Sequence, residues 1–274
     1  MSLVEFTKMA ASGNDFIVLN NLFDQTAVIN GDFSRFAKKV CRRRFSIGAD
    51  GVLVLLPSNK ADLKMRIFNA DGSEAEMCGN GIRCAALFAH RNSFERKMLE
   101  IDTIGGIQKA QVTANSVKFR MPDPKGFVKD ISLKSAGKEY IVTFINTGVP
   151  HAVHFVKSLE KIDIKELGSA IRHHKRFKPN GTNVNFVEVI NKDTLKVRTY
   201  ERGVEDETLA CGTGSAASAI VSALVKGTKR PVYVITRSGN ILNVSFNTGK
   251  NKKVSELYLE GDASIVYQGR VEYV

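Results

Sequence analysis

The hydrophobic residues of this chain fall mostly into short alternating runs, which Gly, Asn and Asp interrupt at frequent intervals. Such runs predict β-strands, because in a strand successive side chains point to opposite faces of the sheet. The predicted strands are Phe16–Leu19, Val52–Leu56, Met65–Phe68, Val117–Met121, Tyr140–Ile145, Val184–Val189, Leu195–Tyr200, Val232–Ile235 and Val254–Leu259. The chain is therefore predicted to be rich in β-structure.

Helices are predicted over Phe33–Cys41, which is amphipathic, and over Gly81–His90 and Thr213–Val225, which are almost free of charge. The first of these two apolar helices carries only Arg83, and the second carries no charge before Lys226. A helix that is apolar on every side is generally buried. Two buried helices among many strands predict an α+β fold. We expect two pseudo-symmetric domains, each a curved, mostly antiparallel sheet or barrel wrapped around a central buried helix.

A turn-rich segment, Pro122–Gly126, is the natural boundary between the two halves. Residues 1–121 are assigned to an N-terminal half and residues 122–263 to a C-terminal half. Residues from about 264 to 274 are expected to pack back on the N-terminal half.

The segment in front of each apolar helix occurs twice, as Met-Cys-Gly-Asn-Gly at 77–81 and as Ala-Cys-Gly-Thr-Gly at 210–214. Each copy follows a predicted strand and an acidic loop. Duplication is the simplest explanation of this match. Two equivalent thiols, Cys78 and Cys211, then predict one site that is built from two related halves.

A cysteine directly before a helix lies where backbone N–H groups are unpaired and the helix dipole is positive. Both effects favour the thiolate. The neighbouring glycines allow a ligand to approach the backbone, and the N–H groups can hold a carboxylate. Cys78 and Cys211 are therefore predicted to act as two acid–base groups, which can invert a carbon centre without a cofactor.

The cysteines also have other possible roles. Cys41 and Cys84 are interpreted as buried, small hydrophobic residues. No metal site is predicted, because no Cys-x-x-Cys pair exists. A single nucleophilic cysteine that is activated by His151 remains an alternative.

The composition of the 274-residue chain, with 43% hydrophobic and 25% charged residues, is that of an ordinary soluble globular protein. The N-terminal segment lacks a signal-like apolar core, no run is long enough to span a membrane, and four cysteines without a disulfide-like spacing suggest a reducing compartment. We therefore expect a cytoplasmic protein without a membrane partner. The net charge of +12 is spread along the chain without a nucleic-acid-binding motif, so no nucleic acid is expected to bind. A module that binds nucleic acid or an anionic partner is an alternative that the charge alone suggests.

Two longer motifs make the chain resemble a known family. The segments Phe68–Cys84, FNADGSEAEMCGNGIRC, and Tyr200–Gly214, YERGVEDETLACGTG, are similar to the two cysteine motifs of the diaminopimelate epimerase family. Shorter matches are Gly13–Phe16, Gly48–Gly51, Pro150–Val153 and Gly181–Val184. The resemblance extends from about residue 8 to about residue 220.

The resemblance implies a cofactor-independent epimerase that interconverts LL- and meso-2,6-diaminopimelate in the synthesis of lysine and peptidoglycan precursors, and that forms a homodimer. It implies that Cys78 and Cys211 are the acid–base pair, and that His151 and Glu201 adjust the pKa values of these cysteines. The residues that it implies for substrate binding are Asn14, Asn69, Gly79, Asn80, Asn183, Glu201, Arg202, Gly212 and Thr213.

Two positions depart from the pattern of the family. Val149 stands where many members have Asn, and Gly51 stands where some members have Gln. Another cofactor-independent racemase, of the proline or hydroxyproline type, is the alternative function. Asn69, Asn183 and Arg202 favour a substrate with a second polar end, as diaminopimelate has.

Overall fold

The computed structural model describes residues 2–22, 31–114, 116–135 and 138–273. The helices in these ranges are α1 (Phe33–Val40), α2 (Gly79–Asn92), α3 (Ile164–Arg172) and α4 (Gly212–Lys226). The strands are β1 (Ser2–Ala11), β2 (Asn14–Asn20), β3 (Gly51–Leu56), β4 (Leu63–Asn69), β5 (Glu74–Ala75), β6 (Met98–Thr103), β7 (Gly106–Val112), β8 (Val117–Arg120), β9 (Lys125–Ser135), β10 (Lys138–Asn146), β11 (Pro150–Phe155), β12 (Asn183–Val189), β13 (Thr194–Glu201), β14 (Asp206–Thr208), β15 (Val232–Ile235), β16 (Ile241–Thr248), β17 (Val254–Gly261) and β18 (Ser264–Tyr273). Short 3-10 helices cover Leu159–Lys161, Lys175–Phe177 and Lys250–Lys252.

The chain divides into two compact units. The first comprises Met1–Phe119 together with Gly261–Val274, and the second comprises Arg120–Glu260. Each unit contains one of the two Cys-Gly-x-Gly motifs.

The sheet of the first unit surrounds helix α2. Strand β2 pairs antiparallel with β1 and parallel with β3, while β4 pairs antiparallel with β3 and parallel with β6. Strands β6, β7 and β8 continue antiparallel, and β18 pairs with β1. Helix α2 packs against seven of these strands, β1, β2, β3, β4, β6, β7 and β18. Every residue from Asn80 to Ala89 is buried, which explains why this helix has almost no charged side chain.

The second unit repeats this topology around helix α4. Strand β11 pairs antiparallel with β10 and parallel with β12, while β13 pairs antiparallel with β12 and parallel with β15. Strands β15, β16 and β17 continue antiparallel, and β9 pairs with β10. Helix α4 packs against β10, β11, β12, β13, β15 and β16, and its residues Gly214–Ser222 are buried. The predicted α+β fold, with two pseudo-symmetric sheets around buried helices, is confirmed.

All nine predicted strands and all three predicted helices are present, most of them longer than the patterns indicated. Helix α3 was not predicted, because Gly168 in its middle argues against a helix. The structure explains this glycine: a Cβ atom at position 168 would lie 2.5 Å from the Cβ atom of Tyr200 on β13. The close approach of α3 to the sheet therefore requires Gly168.

The two cysteines outside the repeated motif are both buried, as predicted. Burial raises the pKa of the Cys41 thiol to about 11 and also raises the pKa of the Cys84 thiol. Both side chains therefore remain protonated thiols at neutral pH. In the described part of the chain, the helices are all too short or too polar to span a membrane.

Candidate active site

Cys78 is the N-cap residue of helix α2, with an extended backbone (φ −144°, ψ 120°). The first hydrogen bond of the helix joins the Ile82 N–H to the Cys78 carbonyl at 2.9 Å. The N–H groups of the three preceding residues therefore have no partner within the helix, and they lie at the positive end of its dipole. Gly79 is required here, because a Cβ atom would lie 2.8 Å from Cζ of Phe119.

A chain of side-chain hydrogen bonds fixes the first turn of α2 to strand β2. The Asn80 amide Nδ2 donates to Oδ1 of Asn14 at 2.6 Å, and Nδ2 of Asn14 donates to the Asp50 carboxylate at 2.8 Å. At the other end, Nη2 of Arg83 donates to Oδ1 of Asn80 at 2.8 Å. Because a guanidinium only donates and a carboxylate only accepts, both amides are held in one orientation.

Arg83 is a fully buried cation that the sequence analysis did not select. Its Nη2 also donates to Oγ of Ser12 at 2.7 Å, and its Nε donates to the Asp262 carbonyl at 3.0 Å. The Asp262 carboxylate in turn accepts from the Ser12 hydroxyl at 2.7 Å. Burial lowers the pKa of Arg83, whereas the negative charge of the Asp262 carboxylate opposes this shift. A single Arg in an otherwise apolar helix was the signal that could have identified this residue.

Ion pairs hold Asp50, at the end of this series of hydrogen bonds that lies away from Arg83. Arg43 bridges the carboxylates of Asp15, at 2.5 Å, and Asp50, at 2.8 Å, and Lys8 contacts Asp15 at 2.7 Å. Burial would raise the pKa of the Asp15 carboxyl, but the hydrogen bonds from Arg43 and Lys8 hold it below the ordinary value. Asp50 therefore lies in a network of charges and is not a lone loop residue.

Asn69 ends strand β4 opposite Gly51 on β3. Its Nδ2 donates to the Ser73 hydroxyl at 2.9 Å, and its side chain is exposed. A Cβ atom at Gly51 would lie 2.7 Å from the Phe68 carbonyl oxygen. Because a backbone atom cannot move aside easily, this sheet has no room for the Gln that some members of the family carry at this position.

Cys211 is the N-cap residue of helix α4 and has a similar extended backbone (φ −120°, ψ 110°). The Ser215 N–H donates to the Cys211 carbonyl at 2.9 Å, so this helix begins in the same way as α2. The Cys211 Sγ lies 3.5 Å from the Thr213 hydroxyl. The Thr147 hydroxyl donates to the Thr213 carbonyl at 2.9 Å and thereby ties the turn before β11 to this helix.

The ends of strands β11, β12 and β13 place polar residues next to the start of α4. His151 pairs with Asn183 in the parallel register, and Oδ1 of Asn183 accepts the Arg202 N–H at 2.7 Å. The Glu201 carboxylate accepts from the Thr208 hydroxyl at 2.9 Å. Burial raises the pKa of the Glu201 carboxyl.

His151 is fully buried beside Asn185, whose Nδ2 lies 3.0 Å from the ring Nδ1. Burial, together with the nearby charge of Arg202, lowers the pKa of His151 to about 3. The imidazole is therefore neutral at physiological pH. Asn185 was not selected by the sequence analysis, although it lies two residues beyond Asn183 and therefore on the same face of the strand.

The predicted site residues are divided between the units. The first unit contains Asn14, Asn69, Cys78, Gly79 and Asn80, and the second contains His151, Asn183, Glu201, Arg202, Cys211, Gly212 and Thr213. Direct hydrogen bonds join Asn14 to Asn80, the Arg202 backbone to Asn183, and Cys211 to Thr213, whereas Asn69 bonds to Ser73. Across the described ranges, no three His, Cys, Asp or Glu side chains are grouped so that they could hold a metal ion.

Known structures share this fold. A PhzF-family phenazine biosynthesis protein from Bacillus anthracis matches with a TM-score of 0.77 over 100% of both chains, at 20% identity. A hydroxyproline epimerase from Agrobacterium vitis matches with a TM-score of 0.70, covering 99% of this chain and 91% of its own, at 17% identity. At these identities the likeness establishes the fold alone, which this chain shares with PhzF-type proteins and hydroxyproline epimerase.

Sequence comparison identifies the family among proteins of this fold. The family model for diaminopimelate epimerase matches residues 6–125 and 143–266. The diaminopimelate epimerase of Aquifex aeolicus is 45% identical over 98% of both chains, and that of Methanocella arvoryzae is 43% identical over 99% of this chain and 98% of its own. The chain belongs to the diaminopimelate epimerase family.

Proposed function

We propose that this protein is an isomerase that interconverts LL- and meso-2,6-diaminopimelate. The observation that carries the proposal is the repeated arrangement of Cys78 and Cys211, each the N-cap residue of a buried helix. Membership of the family supports it, since relatives named diaminopimelate epimerase are similar over nearly the whole chain. The product serves the synthesis of lysine and of peptidoglycan precursors.

In the proposed reaction the two cysteines exchange protons with one carbon atom. The thiolate of one cysteine takes the α-proton and becomes a thiol, and the thiol of the other delivers its proton to the opposite face and becomes a thiolate. The enzyme is thus returned to an equivalent state, with the two roles exchanged. The negative charge that develops next to the carboxylate needs hydrogen-bond donors, which N–H groups at a helix N-terminus can supply. This chemistry requires neither a metal ion nor an organic cofactor.

The residues that surround the cysteines are proposed to bind the substrate. Backbone N–H groups at Gly79, Asn80, Gly212 and Thr213 would hold the carboxylate of the reacting carbon. Asn14, Asn69, Asn183, Glu201 and Arg202 would contact the other polar groups of the substrate. Among them, Asn69, Asn183 and Arg202 suit the far end. An Arg side chain suits a carboxylate because its planar fork can donate two parallel hydrogen bonds. His151 and Glu201 are proposed to adjust the protonation of the cysteines.

We also propose that the protein acts as a homodimer in the cytoplasm. The substrate of such an enzyme is a soluble amino acid, and the two catalytic thiols require a reducing compartment to remain free. Sedimentation velocity of the purified chain would measure the state of association directly.

The function is tested by following LL-diaminopimelate in D₂O with a chelator present and no pyridoxal phosphate. We expect meso-diaminopimelate with deuterium at the inverted α-carbon. In the Cys78→Ala and Cys211→Ala variants the epimerisation rate should fall by about 10³-fold or more, because each removes a group that transfers the proton. Cys41→Ala is the matched control, since Cys41 is buried in the core beneath α1 and β2. Full activity in either of the first two variants would contradict the two-base assignment.

The same assay distinguishes the alternative substrate. Proline and hydroxyproline lack the second amino acid group of diaminopimelate, so they offer nothing to the residues proposed for the far end. We expect no racemisation of either compound. Turnover of hydroxyproline at a rate similar to that of diaminopimelate would favour a racemase of that type.

A further inference from the structure

A group of buried polar side chains lies under the first turn of helix α4. Its members are His151 on β11, Asn185 on β12 and Thr199 on β13, all of them less than 5% exposed. Asn185 pairs with Thr199 in the antiparallel register and with Val153 in the parallel one, so these strands present the group on one face. Buried polar atoms normally form hydrogen bonds, and the way these atoms are paired determines which ring nitrogen of His151 carries the proton.

The orientation of the Asn185 amide is set by its other neighbours. The Ala152 carbonyl, which can only accept, lies 3.5 Å from the atom placed as Nδ2. On the opposite side, the Thr199 hydroxyl donates to Oδ1 at 3.0 Å. Gly214 packs against the same side, where a Cβ atom would lie only 2.3 Å from Oδ1. The Cα–H of the glycine therefore faces this oxygen. The amide nitrogen therefore faces His151.

This orientation fixes the tautomer of the imidazole. Nδ2 of Asn185 donates to Nδ1 of His151 at 3.0 Å, so Nδ1 is the acceptor and carries no hydrogen. In a neutral imidazole the single ring hydrogen then resides on Nε2. That nitrogen is buried and has no hydrogen-bond partner among the residues that the structure describes. A buried N–H donor of this kind is costly to leave unpaired, which points to an acceptor that arrives during the reaction.

We propose that Asn185 is a positioning residue that holds His151 as the neutral Nε2–H tautomer, so that His151 donates a hydrogen bond to an anionic group during catalysis and does not accept a proton. The anionic group is a carboxylate of the substrate or a catalytic thiolate. This inference rests on the proposed epimerase function only for the identity of the anion. The tautomer itself follows from the contacts of Asn185.

The tautomer can be read directly by NMR on the full-length protein labelled with ¹⁵N-histidine. Long-range ¹H–¹⁵N correlation spectra at about pH 8, where free imidazole is neutral, distinguish a protonated ring nitrogen from an unprotonated one. We expect His151 to show a protonated Nε2 and an unprotonated Nδ1. His154 is an internal control of the opposite kind, because its Nδ1 lies 2.8 Å from the Ile141 carbonyl and must carry the hydrogen there. A spectrum in which His151 has the pattern of His154, or is doubly protonated, would overturn the proposal.

Two variants test the role of Asn185. In Asn185→Asp the carboxylate can only accept, so we expect the His151 hydrogen to move to Nδ1 and kcat to fall by about 10²-fold, as when a single catalytic donor is removed. In Asn191→Asp the same chemical change is made in an exposed loop, where Oδ1 only accepts backbone N–H groups. This control should keep both the wild-type kcat and the wild-type tautomer. Wild-type kcat in Asn185→Asp, with the tautomer inverted, would show that His151 is not a catalytic donor.

The Nε2–H proton resonance identifies which anionic group accepts the hydrogen bond from His151. A downfield shift when meso-diaminopimelate is added to the inactive Cys211→Ala variant assigns the acceptor to a substrate carboxylate. A downfield position in the free wild-type protein that is lost in Cys78→Ala or Cys211→Ala assigns it to a thiolate. If neither occurs, the donor role is wrong. A failure of the epimerase function itself would appear separately, as wild-type protein with the expected tautomer and no activity on diaminopimelate.

Discussion

The Arg83 guanidinium donates a hydrogen bond to Oδ1 of Asn80, three residues earlier on the same helix, at 2.8 Å. The guanidinium is completely buried, and its other bonds go to Ser12 and to the Asp262 carbonyl. Residues from three distant parts of the chain therefore meet at one cation behind the cysteine loop. This cation holds the first turn of α2 in place, and with it the Asn80 amide that bonds to Asn14.

Replacement of Arg83 should cost more stability than replacement of any surface arginine in the same unit. Arg83→Met leaves the buried side chains of Ser12 and Asn80 and the partly buried Asp262 carbonyl without their donor, and each buried group costs about 1–3 kcal/mol. We expect the free energy of unfolding, measured by urea denaturation, to fall by at least about 2 kcal/mol. Arg270→Met is the matched control. Its ion pair with Glu5 is exposed, with side-chain exposures of 63% and 73%, so its loss should be close to neutral. Equal effects of the two variants would contradict the structural role of Arg83.

Gly214→Ala should disturb both the stability and the activity of the protein. The new Cβ atom would lie 2.3 Å from Oδ1 of Asn185, which is buried and held by Thr199 and His151. Overpacking of this kind typically costs about 1–3 kcal/mol, and the displaced Asn185 would release His151. We expect a lower melting temperature by calorimetry and a lower kcat.

Gly249→Ala provides the comparison for this effect. A Cβ atom at Gly249 meets its nearest neighbour only at 3.8 Å, so it should leave stability unchanged or raise it slightly, by reducing the entropy of the unfolded chain. The double variant Asn185→Ala/Gly214→Ala should be less destabilised than the sum of its single changes, because the clash is removed. Strict additivity would show that the Cβ atom clashes with something else.

Acidification should destabilise the protein through His151. Its pKa is lowered to about 3 in the folded protein from the ordinary value of 6.5, so the unfolded chain takes up this proton first as pH falls. The stability contributed by the neutral imidazole is complete above pH about 6.5 and is lost progressively from there toward pH about 3. Each unit of pH in this window should cost up to about 1.4 kcal/mol.

The measurement is the urea midpoint of wild type and of His151→Gln between pH about 7.5 and 4.5. The variant lacks the titrating ring, so the difference between the two proteins should shrink steadily as pH falls. A difference that is independent of pH would mean that His151 takes up its proton at the same pH in the folded and the unfolded protein, so that burial does not lower its pKa.

Placing at Gly51 and at Val149 the residue that other members of the family carry should have different effects. Gly51→Gln should destabilise the first unit, because even a Cβ atom at this position lies 2.7 Å from a backbone oxygen of β4. Val149→Asn lies in the turn before β11 and is half-buried, so the fold should accept it. If this position faces the far end of diaminopimelate, the added amide should lower KM while kcat stays unchanged. Melting temperature and steady-state kinetics of both variants check the two expectations.

The local patterns in the sequence predicted nine of the eighteen strands and three of the four α-helices in the described ranges. The apolar run Val52–Leu56 and the nearly uncharged helix after Cys211 could be read without tertiary information, because both stretches carry almost no charged residues. Strands β7 and β18 escaped prediction, since several of their side chains are exposed and polar. Helix α3 escaped because Gly168, unfavourable in an isolated helix, is needed for contact with Tyr200.

The sequence by itself determined that two cysteines stand in equivalent glycine-rich loops, each before an apolar helix. Such features are local, and local geometry follows from residues that are close in the chain. Only the tertiary structure decided that Ser12 meets Asp262, that Arg83 bonds across to both segments, and that Asn185 turns its amide nitrogen toward His151. These contacts depend on the register between strands that are far apart in sequence, and a shift of one residue would turn each side chain to the other face. For that reason the cysteines could be identified from the sequence, whereas the polar side chains that fix the structure around them could not.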